Sequence, residues 1–283
     1  MSAEGTRALV LAGGGVTGIA WEIGVLDGLA AAGTDVTSAD LIVGTSAGAA
    51  VGAQVAQVTP LADLVARQLT PPSESGEISV TLDVEEYRAK MAEIMAGSAD
   101  ADAMRALIGK MALEADTVPE AVRREVIVAR LPIQTWPDRP LVLTAVDTAT
   151  GVWRTFDSGD GVPLVDAVAA SCAVPGVWPP VTIDGKRYMD GGARSLTNAD
   201  VARGHERVLV LVPMAMLDEQ RAQLDAELES LGGGVSSLVI AADEASVAAM
   251  GPNPLDPEFR ATALAGGRRQ ALEMAEAVAT FWA

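Results

Sequence analysis

Twice within its first 50 residues the chain passes from a short apolar run into a glycine-rich turn and then into a long small-residue segment, and nothing else restricts its folding as much. Ala8 to Leu11 leads into Gly13-Gly14-Gly15-Val16-Thr17-Gly18, and Leu41 to Val43 leads into Gly44-Thr45-Ser46-Ala47-Gly48. Such uninterrupted apolar runs suit strands buried on both faces of a parallel sheet. A helix is expected after each. Ile19, Ile23, Leu26 and Leu29 fall near one face from Thr17 to about Ala31, where Gly33 ends it, and Ala47 to Gln57 gives a second. Strand–helix–strand–helix order predicts an α/β fold with both glycine turns at the carboxyl-terminal edge of the sheet.

The composition changes between Pro71 and Arg130. A loop marked by Pro71, Pro72, Ser73, Ser75 and Gly76 precedes charged amphipathic stretches at Val84 to Met95, Ala101 to Leu113 and Pro119 to Ala129. No strand pattern interrupts them, so residues 71–130 read as a helical insertion, either a lid over a site or plain structural elaboration. Strands are expected at Pro140 to Val146 and Gly151 to Phe156, then a helix at Pro163 to Ala170. Val181 to Ile183 and Arg187 to Met189 flank Asp184-Gly185, a hairpin signal. Val208 to Val212 is another buried strand; helices at about Leu217 to Leu231 and Phe259 to Phe281 surround an apolar segment at Leu238 to Ala242. Nothing resembles a linker. The expectation is one α/β domain over residues 1–283, a three-layer sandwich with a mostly parallel central sheet.

With 283 residues, 49% of them hydrophobic, the chain can bury one large core. Its 38 acidic and 20 basic residues give a net charge of −18, which disfavours nucleic acid and allows at most transient contact with a membrane. Leu41 to Ala62 carries no charge over 22 residues, but its Gly, Ala, Gln54, Gln57 and Pro60 suit a buried strand, turn and helix better than a membrane span. Cys172 is the only cysteine, so neither an internal disulfide nor a thiolate metal cluster can form. Met1 to Arg7 contains Glu4 and lacks the basic start of a signal peptide. The expected setting is cytoplasmic, with no metal or cofactor.

Chemistry concentrates at the two turns. Gly44 to Gly48 fits G-x-S-x-G between a strand and a helix, the context of a nucleophile elbow, although a plain turn capped by Ser46 fits the letters too. Consecutive glycines at Gly13, Gly14 and Gly15 expose backbone N–H groups that could hold an oxyanion or a phosphate. Gly13, Gly15 and Gly18 also satisfy the dinucleotide fingerprint, but the acid expected at the end of the second strand is absent, since Asp35 and Asp40 precede that strand. His205 is the only histidine, and it lies before the strand Val208 to Val212, at the edge opposite Ser46. A carboxylate is therefore the expected base. Asp190, at a strand end and followed by Gly191 and Gly192, can be presented into a cleft.

Taken in this order, the glycine loop Gly13 to Gly18, the elbow Gly44 to Gly48 and Asp190-Gly191-Gly192 resemble the patatin-like phospholipase family. The resemblance covers residues 7 to about 213. Ala170-Ser171-Cys172-Ala173-Val174-Pro175 looks like the family loop ahead of its catalytic Asp, and Asp147-Thr148-Ala149-Thr150-Gly151 is similar to another recurring segment. The resemblance implies a Ser–Asp dyad acting on acyl esters of lipids, the alternatives being a generic soluble carboxylesterase or thioesterase, or a catalytically silent binding protein on the same fold. Ser46 takes the nucleophile's place, Asp190 the base's, and Gly13, Gly14 and Gly15 the oxyanion hole, with Gly18, Gly44, Gly48, Gly191 and Gly192 in support. Thr17 stands where many members carry Arg or Lys. With the acidic net charge, this predicts neutral or zwitterionic esters of short to medium chain rather than anionic phospholipid. Cys172 reads as core; Trp21, Trp153 and Trp178 read as core or as lining of an acyl pocket, Trp178 lying nearest the motif loop.

Overall fold

The computed structural model describes residues 5–97 and 100–283; residues 1–4, which bear on the leader-sequence reading, and 98–99 lie outside the described residues. One mixed sheet carries the strands β1 (Arg7–Leu11), β2 (Leu41–Gly44), β3 (Leu141–Asp147), β4 (Trp153–Phe156), β5 (Val181–Ile183), β6 (Lys186–Asp190), β7 (Arg207–Val212) and β8 (Ser236–Ala241). Their order is β5-β6-β3-β2-β1-β7-β8, with β4 paired to β3 off that path. The central run β3-β2-β1-β7-β8 is parallel, and the pairings of β4, β5 and β6 are antiparallel. Asp184 (φ 51°) and Gly185 (φ 76°) form the turn between β5 and β6, both in the left-handed region a two-residue hairpin requires.

The helices are α1 (Gly15–Ala31), α2 (Ala47–Ala56), α3 (Leu61–Leu69), α4 (Val84–Ala96), α5 (Ala101–Glu114), α6 (Glu120–Arg130), α7 (Leu164–Ser171), α8 (Asp218–Ser230), α9 (Glu244–Ala249) and α10 (Arg260–Trp282). Side-chain alternation along β1 explains the layers. Ala8 and Val10 join Val208, Val210 and Leu224 of α8 on one face. Leu9 and Leu11 join Ile23 of α1, Val51 of α2, Val168 of α7 and Ala271 of α10 on the other. The result is the expected three-layer α/β sandwich. Ile108 of α5 packs on Val146 and Met189, with Met91 and Ile94 of α4 alongside, so these helices lie over β3 and β6.

Several elements differ from the sequence expectation. α1 starts at Gly15 rather than Thr17, so its amino terminus lies inside the glycine cluster. α3 begins after Pro60 and buries only Leu64 and Gln68 of its nine residues, too short a stripe to stand out as periodicity. α9 has six residues and starts where Asp243 accepts the Ser246 N–H. The apolar segment at Leu238 to Ala242 proves to be β8, which begins earlier at two exposed serines because it is an edge strand. No helix among the described residues is long and apolar enough to cross a membrane.

Candidate active site

Ser46 sits between β2 and α2 with φ 54° and ψ −112°, a backbone conformation L-residues rarely adopt. Close packing of the turn on β1 holds it there. A Cβ on Gly48 would overlap the Leu11 carbonyl oxygen, and one on Gly44 would come within 2.6 Å of Ala49 Cα. The Gly48 N–H donates to Ala12 O (3.1 Å) and the Thr45 N–H to Leu11 O (3.0 Å). From α7, Ser171 Oγ accepts the Ser46 N–H (3.0 Å), and the Cys172 thiol donates to Ser46 O (3.1 Å). Every group that fixes Ser46 is therefore itself buried or backbone.

β3 brings Asp190 to this serine. Gly44 of β2 pairs with Leu143, and Asp190 of β6 pairs with Ala145, two residues further along the same strand. Such a step spans roughly 6.6 Å. Asp190 Oδ1 accepts the Gly192 N–H at 2.7 Å, while Oδ2 is buried without a hydrogen-bond partner among the described residues. Burial pushes the Asp190 carboxyl up to about 7, against the opposing pull of the Ser46 hydroxyl and the Gly192 N–H. The hydroxyl is thus close enough to act on the carboxyl, yet no well-aligned hydrogen bond joins the two. Tyr87 of α4 lies near as well: burial and then the Asp190 charge raise its phenol above the ordinary value. Asn198, in the left-handed region at φ 48°, ties the parts together by donating from Nδ2 to Ser195 O (2.8 Å) and Thr45 Oγ1 (3.1 Å).

The glycine loop requires one correction. The Gly13 N–H is spent on Leu196 O at 3.0 Å and cannot also hold an oxyanion in this conformation. The Gly14 N–H donates to no described residue, and Gly15, first in α1, has no intrahelical acceptor. Gly15 has φ 67°, and a Cβ there would approach Pro254 O to 2.5 Å, so only glycine fits. The Ala47 N–H, first in α2 and next to Ser46, has no intrahelical acceptor either. Sequence reasoning passed over it because any residue type supplies that group. Gly18 donates to Gly14 O inside α1, and Thr17 is fully buried with its N–H (3.0 Å) and hydroxyl (3.4 Å) both on Pro254 O.

A narrow cleft of about 10 Å³ opens beside Ser46 between Gly15, Ile19, Arg123, Arg130, Cys172, Trp178 and Leu255. Trp178 reaches this cleft, whereas Trp21 is fully buried in the core and Trp153 lies under the Arg194 guanidinium. Burial raises the Cys172 thiol to about 11, so it is unreactive at rest. His205 precedes β7, with Nδ1 3.1 Å from Ala202 O, at the sheet edge away from Ser46. Among the described residues no group of three or more His, Cys, Asp or Glu could hold a metal ion.

These features define the class: a three-layer α/β protein with a buried, strained serine at the turn from a parallel strand into a helix. The family model of the patatin-like phospholipases matches residues 9–203, and the chain belongs to that family. In general terms it is therefore a lipid-hydrolysing enzyme. Two solved structures are similar over 97% of the chain, each with a TM-score of 0.45: VipD from Legionella pneumophila, 12% identical, and the type III effector protein ExoU, 14% identical. The match spans 67% of VipD and 53% of ExoU, so the chain corresponds to about half of the latter. No curated protein sequence gives a significant match.

Proposed function

We propose that the protein is a serine acyl hydrolase that cleaves acyl ester bonds of lipids through Ser46 and Asp190. The observation that carries this reading is the strained Ser46 beside a buried carboxyl that burial pushes up to about 7, whose Oδ2 has no well-aligned hydrogen-bond partner among the described residues. A carboxylate with an ordinary pKa is a poor base for a hydroxyl; one near neutrality can accept a proton and return it in the same cycle. Asp190 Oδ2 takes the Ser46 proton as Oγ attacks the ester carbonyl. The N–H groups of Gly14 and Gly15, at the amino terminus of α1, receive the oxyanion, and Ala47 N–H offers a third donor. The alcohol leaves with the proton from Asp190, and water then releases the acyl group by the same path.

Tyr87 near Asp190 supports α4, and with it the segment 71–130, as the cover of the site within a single domain. A lone buried cysteine fits a cytoplasmic setting. An active-site phosphonate probe followed by peptide mapping tests the assignment. Label is expected on Ser46 and absent from Ser46→Ala; label that persists on another serine in that variant would refute it.

A further inference from the structure

The cleft beside Ser46 contains a guanidinium that no described carboxylate pairs by a hydrogen bond. Arg123 of α6 is 5% exposed, and its guanidinium carbon lies 3.8 Å from the centre of the Trp178 ring. Its Nε and Nη1 are buried and have no hydrogen-bond partner among the described residues. The nearby acids are already engaged. Arg130 holds Glu77 with both arms, Nε to Oε1 and Nη2 to Oε2, each at 2.7 Å. Glu120 accepts from the Thr182 N–H and hydroxyl and faces Arg187, and Asp166 pairs with Arg124. Arg260, the third cation acting on Glu77, donates to the carbonyls of Arg67, Thr70 and Pro257. Three arginines thus surround one carboxylate in a chain whose net charge is −18.

Glu77 acts on Arg123 from a distance but is bonded to Arg130, and a buried guanidinium whose N–H groups lack acceptors is destabilising until a ligand supplies them. Burial, with Arg130 adding to it and Cys172 and Glu77 opposing, lowers Arg123 to about 9. The contact with Trp178 engages the guanidinium face and leaves its in-plane N–H groups for an oxyanion, the bidentate geometry to which arginine is suited. Thr17, bonded to Pro254, brings no charge to the glycine loop, so the cation reaches the cleft from α6 instead.

We propose that Arg123 is a specificity-determining residue for acyl esters that carry an oxyanion group, its Nε and Nη1 receiving a phosphate or carboxylate of the substrate while the scissile carbonyl meets Ser46. The assignment rests on the acyl-hydrolase reading above. At about 10 Å³ the cleft admits little more than a water-sized sphere, so the ester enters as the cover moves.

The test compares the full chain with Arg123→Met and Arg123→Lys on two esters of one acyl chain, a lysophosphatidic acid and the matching monoacylglycerol. The wild type is expected to favour the phosphate-bearing ester. Arg123→Met should lower kcat/KM on it by roughly 10- to 100-fold, leave the neutral ester nearly unchanged, and Arg123→Lys should fall between. Thermal denaturation gives a readout independent of turnover. Without ligand Arg123→Met should match or exceed the wild-type Tm, because it removes an unpaired buried charge, and inorganic phosphate should raise the Tm of the wild type alone. Equal losses on both esters with a lowered Tm would make Arg123 a packing residue and overturn the proposal, as would a preference that survives the substitution. Phosphate protection without any ester preference would move the anion from substrate to free oxyanion and overturn the specificity role. If the wild type cleaves neither ester, the acyl-hydrolase reading fails separately; phosphate protection abolished by Arg123→Met then still supports the oxyanion site, and its absence overturns that too.

Discussion

At the carboxyl-terminal edge of β1 and β2 the candidate site is made of backbone: Gly48 abuts the Leu11 carbonyl without space for a Cβ, Ser46 is held off its preferred conformation, and the Gly14 N–H donates to no described residue. Across the cleft, the segment 71–130 contributes side chains instead: Tyr87 near Asp190, the Glu77–Arg130 pair, and Arg123 over Trp178. Backbone donors aimed at a reacting carbonyl are indifferent to what the ester carries. Long charged side chains discriminate between ligands, and in burying them the protein loses stability. The comparison separates the chemistry of the site from its selectivity.

The largest expected effects fall on the backbone-built side. Ser46→Ala and Asp190→Asn should each reduce kcat/KM by roughly 10⁴-fold or more on any ester, because the nucleophile and its base act as a unit. Activity of the wild type should climb as pH rises through about 7, where the Asp190 carboxyl gives up its proton, and then level off. Stability moves the other way. Since burial raises the folded-state pKa of Asp190, its contribution is fully present below the ordinary carboxylate range and is lost as pH rises toward 7. Asp190→Asn should therefore be inactive yet more stable than wild type at pH 8 and no different near pH 4, as read by thermal denaturation. A variant no more stable at pH 8 would show that the carboxyl is solvated.

Gly48→Ala comes next. Its methyl group would occupy the position of the Leu11 carbonyl, and a loss of more than about 4 kcal/mol, or failure to fold, is expected from urea unfolding. A well-folded, active Gly48→Ala would mean that the elbow does not depend on contact with β1. On the other side, Glu77→Gln leaves Arg130 buried without its counter-ion and should cost about 3 kcal/mol. Because the backbone machinery is untouched, the residual folded protein should keep kcat on a neutral ester; a collapse of kcat would blur the division between the two sides. His205→Ala should do least, within about 0.5 kcal/mol in stability and without a pH-dependent loss of rate, since its ring lies at the far sheet edge.

What could be read from the sequence follows the same division. Gly44 to Gly48, Gly13 to Gly18 and Asp184-Gly185 announce themselves because each turn must satisfy its own backbone within a few residues. The proximity of Asp190 to Ser46 is less local; it depends on β3 serving as common partner to β2 and β6, which no spacing in the chain displays. Gly13 was expected to hold an oxyanion, and only the fold reveals that Leu196 takes its N–H. Asn198 bonds Thr45 from 153 residues away, and nothing marks it as a tether. Net charge, Thr17 and the lack of an amphipathic anchor near the elbow favour neutral or zwitterionic esters when only the sequence is weighed. Arg123 sits in a charged amphipathic stretch that looks like a solvated helix, and its burial became visible only once α6 was placed against Trp178.

Cys172 offers the closed cleft a clock. The thiol is 4% exposed, lines the same space as Ser46, and has its pKa raised to about 11, so an alkylating reagent reaches it only while the cleft stands open. As the chain contains no other thiol, the rate of modification in the limit of fast chemistry counts opening events directly. On the proposed reading an ester passes through the same opening, so its turnover is expected not to exceed the limiting rate of modification. A turnover number above the limiting alkylation rate would show that substrate enters by a different door.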